Sequence, residues 1–289
     1  MIAAAAAVFL FAPAVLPAQD ARKIVARAAQ AWEQSQERTA DWVYVERAID
    51  RRLDGGGHVR SVMDKTHEWR LIERTPHRRL IAQDGKPVPP DEVERQAAAL
   101  EAERKARAGE PPDARRKRIS AYEERQRRIV EAVREIPEAF DFVVVREEMV
   151  EGRPAWVIQG RPRPGYRPRS QRAAIFPHLR CTLWIDKAEG HAARLEAELF
   201  ETYSVGWILV RIHDGAWVKY TQSRHSPGLW LPSRMEYQAS ARIGLFRMLR
   251  THTEIGYRDW RPEGTTRTTS VEAAMSCRAC FFSVNAASR

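Results

Sequence analysis

The stretch GRPRPGYRPRSQRAAIFPHLRCTLWID, residues 160–186, passes from a basic, proline-rich crossover into a strand. Five arginines, Arg161, Arg163, Arg167, Arg169 and Arg172, crowd its first half together with three prolines. Proline fixes φ and removes a backbone donor, so this half reads as an extended connection between two hairpins. From His178 to Asp186 the run is strand-like, and Leu179, Cys181, Leu183 and Ile185 fall on one face.

Working outward, the same period of two returns downstream. Leu195, Ala197 and Leu199 alternate with Arg194, Glu196 and Glu198, and Met235, Tyr237 and Ala239 alternate with Arg234, Glu236 and Gln238. Val218 and Tyr220 join the apolar set. One dry face and one charged face is the signature of an antiparallel sheet that covers a single side. The strands expected on this pattern are Trp42–Val45, Val59–Glu73, Arg78–Gln83, Phe142–Met149, Pro154–Gly160, His178–Asp186, Ala192–Tyr203, Trp207–Ile212, Ala216–His225, Leu229–Arg242 and Leu249–Trp260. Turn clusters such as Asp54-Gly55-Gly56-Gly57 and Asp84-Gly85 separate them.

Three helices interrupt or precede this series. Ala21, Ile24, Val25, Ala28 and Trp32 recur at helical spacing, so Asp20 to about Arg38 reads as an amphipathic helix that packs on the sheet. Residues 91–108 and 114–136 read as a charged helical pair inserted between strands. In the second of them Ile119, Tyr122, Ile129, Val133 and Ile136 form one narrow apolar seam. The pair either covers the sheet or stands as a solvated charged hairpin. The fold class expected is mainly β with helices (α+β): a strongly curved, incompletely closed antiparallel β-barrel with an N-terminal helix and a helical lid insertion, residues 91–136.

Met1–Ala18 is an apolar run ending in Leu16-Pro17-Ala18, too short for a comfortable bilayer span and suited to a signal peptide cleaved after Ala18. No Lys or Arg precedes the run, which departs from the usual signal pattern. A membrane anchor or an alanine-rich tail are the alternatives. Residues 19–260 are expected as a single domain and 261–289 as a disordered tail, because the last segment is rich in Thr, Ser and Ala without a period.

The formal charge is +10, with 48 basic residues of which only seven are lysine. The charge is spread along the chain rather than gathered on one face, which argues against nucleic acid as partner. Cys181 reads as a small buried residue. Cys277 and Cys280 form a CxxC without the second pair that a zinc site needs. The eight histidines make no HExxH, and no nucleophile elbow or phosphate loop occurs. No catalytic residue, metal or cofactor is expected. Trp42, Trp69, Trp156, Trp184, Trp207, Trp217, Trp230 and Trp260 lie on or beside expected strands, where each packs in the sheet or, if several face one concavity, walls an apolar site.

The crossover and strand of residues 160–186, with WLPSRMEYQASARIGLF at 230–246, resemble a family of exported bacterial outer-membrane lipoprotein-sorting proteins, similar in fold to the periplasmic lipoprotein carriers. The resemblance runs from about Trp42 to Tyr257. It implies a half-barrel with a helical lid whose hollow holds acyl chains, and it transfers no individual ligand-binding residue. The function expected is that of a periplasmic, non-enzymatic carrier. Its ligand would be an acyl chain or lipoprotein lipid anchor, with Leu195, Leu199, Val218, Tyr220, Met235 and Tyr237 on the inner face. The loop arginines 161, 163, 167, 169 and 172 are candidates for anionic headgroups or membrane surfaces, or else form a solvated crossover. The second expectation, from another class, is an envelope interaction protein whose barrel is filled by its own side chains.

Overall fold

The computed structural model describes residues 18–205, 210–244 and 247–263. The signal-peptide region, Trp207, and the Cys277–Cys280 segment lie outside the described residues.

Helix α1 (Ala18–Arg38) opens the described chain and buries the stripe that its spacing dictates, Ala21, Val25 and Ala28. A first meander follows: β1 (Trp42–Leu53), β2 (Val59–Ile72), β3 (Thr75–Gln83) and the two-residue β4 (Lys86–Pro87). Helices α2 (Pro90–Ala108) and α3 (Pro112–Ala139) each place a proline in the first turn, where a missing N–H leaves no helical bond unmade. Then come β5 (Phe140–Val150), β6 (Arg153–Pro162), a 3-10 turn (Ala173–His178), β7 (Leu179–Asp186) and β8 (Ala192–Leu199). The series ends with β9 (Tyr203–Val205), β10 (Val210–Ile212), β11 (Trp217–Ser226), β12 (Leu229–Ile243) and β13 (Arg247–Pro262).

The strands form one strongly curved, open antiparallel sheet in the order β4-β3-β2-β1-β13-β12-β11-β8-β7-β6-β5, with β10 paired to β12 and β9 paired to β10. The first and last long strands, β1 and β13, thus meet in the middle, Ala48 opposite Ile255. The free edges are β4 and β5, and α2–α3 is the chain that runs from one to the other. The insertion therefore bridges the gap that the sheet leaves open. Tight turns fix the register: Asp84-Gly85 and Glu151-Gly152 each hold two consecutive positive φ values, the conformation of a two-residue hairpin loop.

Several boundaries differ from the sequence reading, the largest at β1, which runs to Leu53 rather than Val45. The strand expected from His178 begins at Leu179, and residues 173–178, left unassigned up to His178, make a 3-10 turn in which Ala173 and Phe176 are buried. The expected strand Ala192–Tyr203 ends at Leu199, and Tyr203 starts the separate β9. Helix α3 continues past Ile136 to Ala139, with Pro137 tolerated inside the last turn. Strand β13 extends to Pro262, held by the pairing of Trp42 with Pro262.

The main core lies on the concave side of β5–β8. Phe140, Phe142, Ile158, Leu183 and Ile185 meet Ala21, Val25 and Ala28 of α1, Ala132 and Ala139 of α3, and Phe176 of the 3-10 turn. Gly160 is required in this layer: a Cβ there would lie 2.6 Å from Cys181 Sγ and 2.7 Å from the Phe142 ring. Cys181 is accordingly an inert core thiol, its pKa pushed up to about 12 by burial. Among the described residues, no helix is long and apolar enough to cross a membrane.

Candidate functional site

Register carries the apolar row of the concave face out of the helix-covered half. Leu183 stands opposite Leu195, Leu195 opposite Tyr220, Tyr220 opposite Met235, and Met235 opposite Ile255. Of the six residues expected on the inner face, Tyr220 and Met235 form a second cluster with Tyr257, against which Leu195, Val218 and Tyr237 pack. Leu199 is buried further along β8, opposite Leu179. The six residues thus lie on one face of β8, β11 and β12.

Beyond that cluster the face becomes aromatic. Tyr44 of β1 packs against it, stacks on Trp260 at 4.7 Å between centroids, and lies parallel to Trp69 at 6.0 Å. Trp42 meets Trp260 at 6.4 Å, and Tyr257 tilts against Tyr44 at 6.1 Å. Three neighbouring strands, β2, β1 and β13, thus present a continuous ladder of five rings. Tyr44, Trp42, Trp69 and Trp260 are only partly buried, so the ladder is a wall and not a filled core. Offset ring pairs of this kind contribute about 0.5–1.5 kcal/mol each beyond area burial.

At the β2 end of the ladder the chemistry turns polar. Lys65, His67 and Trp69 point to the same face, and Arg78 stands opposite Trp69 on β3. Burial holds the His67 imidazole down to about 4, and the charges of Arg78 and Lys65 act in the same direction. His67 is therefore neutral at physiological pH. The Trp69 indole Nε1 is buried and donates to no group among the described residues. The sequence reading placed all five residues on strands but singled out only Trp69, not Tyr44, Lys65, His67 or Arg78. The available signal was the i, i+2 set Lys65-His67-Trp69, which mixed polarity kept from reading as a dry face.

The five loop arginines do not form one patch. Tyr166 Oη and the Arg169 backbone N–H both donate to the buried Glu135 carboxylate of α3, at 2.5 and 2.8 Å. Burial opposes that carboxylate's ionisation, yet these donors prevail and its pKa lies below the ordinary value. Arg163 donates to Asp141 at 2.8 Å and to the Phe140 carbonyl at 2.9 Å, and Arg169 pairs with Glu138 at 3.0 Å. The crossover is thus strapped to α3 and β5, with Arg167 exposed and Arg172 half-buried and engaged.

Arg161 belongs to a different feature, a groove of about 670 Å³ on the polar outer face of β6, β7, β8 and β11. Its walls are two rows of long side chains, including Arg161, Arg180, Glu198 and Trp217 in one and Glu196 and Lys219 in the other. Of the six inner-face residues only Val218 borders it, through the floor between the rows. Among the described residues, no cluster of three or more His, Cys, Asp or Glu could hold a metal ion.

No family model matches the chain, and no curated protein does. Among solved structures, the chain is similar to a domain from Vibrio parahaemolyticus described as an outer membrane lipoprotein-sorting protein. Identity is 11%, coverage 87% of this chain and 96% of that one, and the TM-score 0.36. It is also similar to a DUF1329 family protein from Desulfovibrio piger, at 11% identity, 87% and 95% coverage and a TM-score of 0.34. The complex of MucA and MucB from Pseudomonas aeruginosa follows at 10% identity, 85% and 100% coverage and a TM-score of 0.23. The first of these is of the kind that the sequence resembles. At such identities and scores the likeness carries no argument about ligand or partner.

Proposed function

We propose that this chain is an exported, non-catalytic binding protein that carries an acyl chain or lipoprotein lipid anchor on its concave face. The observation that carries this reading is the aromatic ladder Trp69–Tyr44–Trp260–Trp42, which prolongs the apolar cluster of Tyr220, Met235 and Tyr257 into partly exposed surface. Burying each methylene of a chain on such a wall gains about 0.8 kcal/mol, so affinity needs no polar motif. The α2–α3 hairpin, which joins the two sheet edges, supplies a cover.

A second reading rests on its own observation. Leu199, Tyr220 and Met235 are already buried by the chain's own residues, as suits an envelope interaction protein with a filled interior. Titration of a fluorescent acyl probe separates the two. Saturable binding that is lost on Trp260→Ala supports the carrier, and absence of saturable binding promotes the interaction protein. Native mass spectrometry of protein from an envelope extract should show added lipid mass, and N-terminal sequencing of the same sample should begin at or near Gln19.

A further inference from the structure

The charged residues around β2 sort into two kinds. From Asp64 to Arg70 those on the outer face are matched: Asp64 with Arg47 at 2.6 Å, and Glu68 with Arg70 at 2.6 Å, Arg79 at 3.1 Å and Arg261 at 3.0 Å. On the inner face Lys65 and Arg78 come within ion-pair distance of no carboxylate among the described residues, although both act on the His67 imidazole between them. Glu46 faces His67 across the β1–β2 pair and is itself engaged. Asp50, two residues further, accepts from Thr251 at 2.6 Å and Thr253 at 3.1 Å.

Two cations without carboxylate partners, a neutral imidazole and a buried indole N–H without an acceptor thus converge at one end of an apolar wall. Lys65 is half-buried and Arg78 exposed; keeping Lys65 half-buried without a counter-ion is costly, and an anionic ligand group removes that cost while the indole supplies a neutral donor. Resting on the carrier reading, we propose that the bound chain ends in an anion, a carboxylate or a phosphate, held between Lys65 and Arg78 with Trp69 Nε1–H as donor. The alkyl part then lies along Trp69, Tyr44 and Trp260. The wall itself is indifferent to charge, so selection for anionic amphiphiles comes from this corner.

The test uses the full chain and three amphiphiles of equal chain length, dodecanoate, dodecyl phosphate and dodecanol, each displacing a fluorescent acyl probe. At least one anion should bind about tenfold tighter than dodecanol, roughly the 1.4 kcal/mol of one charge-assisted contact. The advantage should shrink with added salt and vanish in Lys65→Met/Arg78→Gln, with dodecanol affinity unchanged. Because Lys65 is half-buried, Arg78→Gln alone guards against misfolding and should lose about threefold for the anions only. In an NMR titration, dodecanoate should raise the His67 imidazole pKa and dodecanol should not. The stronger of the two anions identifies a fatty-acid or a phospholipid source. Equal binding of dodecanol and both anions, or an anion preference that survives the double substitution, overturns the anion corner and leaves the carrier standing. Failure of all three to bind overturns both.

Discussion

The ring of Tyr44 stacks on that of Trp260 at 4.7 Å and 23°, joining a residue near the start of the first strand to one near the end of the last. The contact follows from the β1–β13 pairing, which sets residues more than two hundred positions apart side by side. It places a partly exposed stretch of the concave wall on the seam where the first and last long strands of the chain pair. Trp260→Ala should therefore cost about 2 kcal/mol of stability, less than the 3–5 of a fully buried tryptophan, and weaken acyl-probe binding at least tenfold. Trp217→Ala on the outer face serves as control and should leave probe affinity within twofold. Equal losses in the two variants, measured by urea unfolding and probe titration, would place the binding wall elsewhere.

Register on β8 is testable at two adjacent residues. Leu199 is 1% exposed on the concave side, whereas Glu198 is exposed on the other. Leu199→Asp buries an unpaired carboxylate and should destabilise by more than about 3 kcal/mol or prevent folding. Glu198→Lys should stay within about 0.5 kcal/mol. If both melted alike, the faces would be inverted.

Legibility followed the purity of the periodic signal. Along the middle of β8, β11 and β12 the inward residues are apolar and most outward ones charged or polar, so Leu195, Tyr220, Met235 and Tyr237 share a face that alternation alone can find. On β1 and β2 the inner face carries Glu46, Asp50, Lys65 and His67 among aromatics, and alternation by hydropathy is blind to it. The roles of the loop arginines were likewise hidden. Spacing shows five cations, but only the packing of β5 and α3 shows that Arg163 and Arg169 meet Asp141 and Glu138. The 3-10 turn at residues 173–178 was missed because Phe176 finds its partner Phe140 across the core, a contact that no local pattern encodes. The lid's span between the sheet edges needed the strand order, which depends on β1 pairing with β13.

Acid should loosen the turn after β7. Burial raises the Glu189 pKa, but donation by Trp230 Nε1 at 2.9 Å, Arg224 Nε at 2.7 Å and Gly228 N at 3.1 Å outweighs it, and the net value falls to about 2. A carboxyl with a depressed folded pKa contributes fully above its unfolded value of about 4.3, and that contribution fades as pH drops through the folded one. Nearby His191, stacked on Trp230, is held below its ordinary pKa chiefly by burial, so its contribution is present above about pH 6.5 and fades below. Urea midpoints should fall from pH 7 to pH 5 through histidines and again from pH 4 to pH 2 through carboxylates. Glu189→Gln should be less stable than the parent at pH 6 and should flatten the second decline. A parallel displacement of the whole curve would assign the acid transition to other groups.

Helix α2 and the start of α3 are fastened by polar contacts, and this makes them the part most easily released. Helix α2 has no buried residue, so no apolar packing holds it down. Arg107 instead donates to the Ile72 carbonyl at 2.8 Å, the Thr75 carbonyl at 3.1 Å and Thr75 Oγ1 at 2.9 Å. Arg118 of α3 donates to the Glu73 carbonyl at 3.0 Å and Thr75 Oγ1 at 2.5 Å, while His77 meets Glu103 at 2.5 Å. All converge on the β2–β3 turn, where Glu73 and Arg74 both hold positive φ, a conformation that costs a non-glycine residue about 1 kcal/mol. The far half of α3 is anchored differently, through Ala132 and Ala139 in the main core. Arg107→Ala should therefore speed hydrogen exchange through α2 and the β2–β3 turn while leaving the end of α3 protected. The global unfolding midpoint should change by no more than about 1 kcal/mol, because the released helix buries little. Acyl-probe release should quicken, and moderate salt should mimic the substitution in part by screening the ion pairs. Unaltered α2 exchange in Arg107→Ala, or faster exchange extending evenly to Ala139, would show that the hairpin is not latched at this turn.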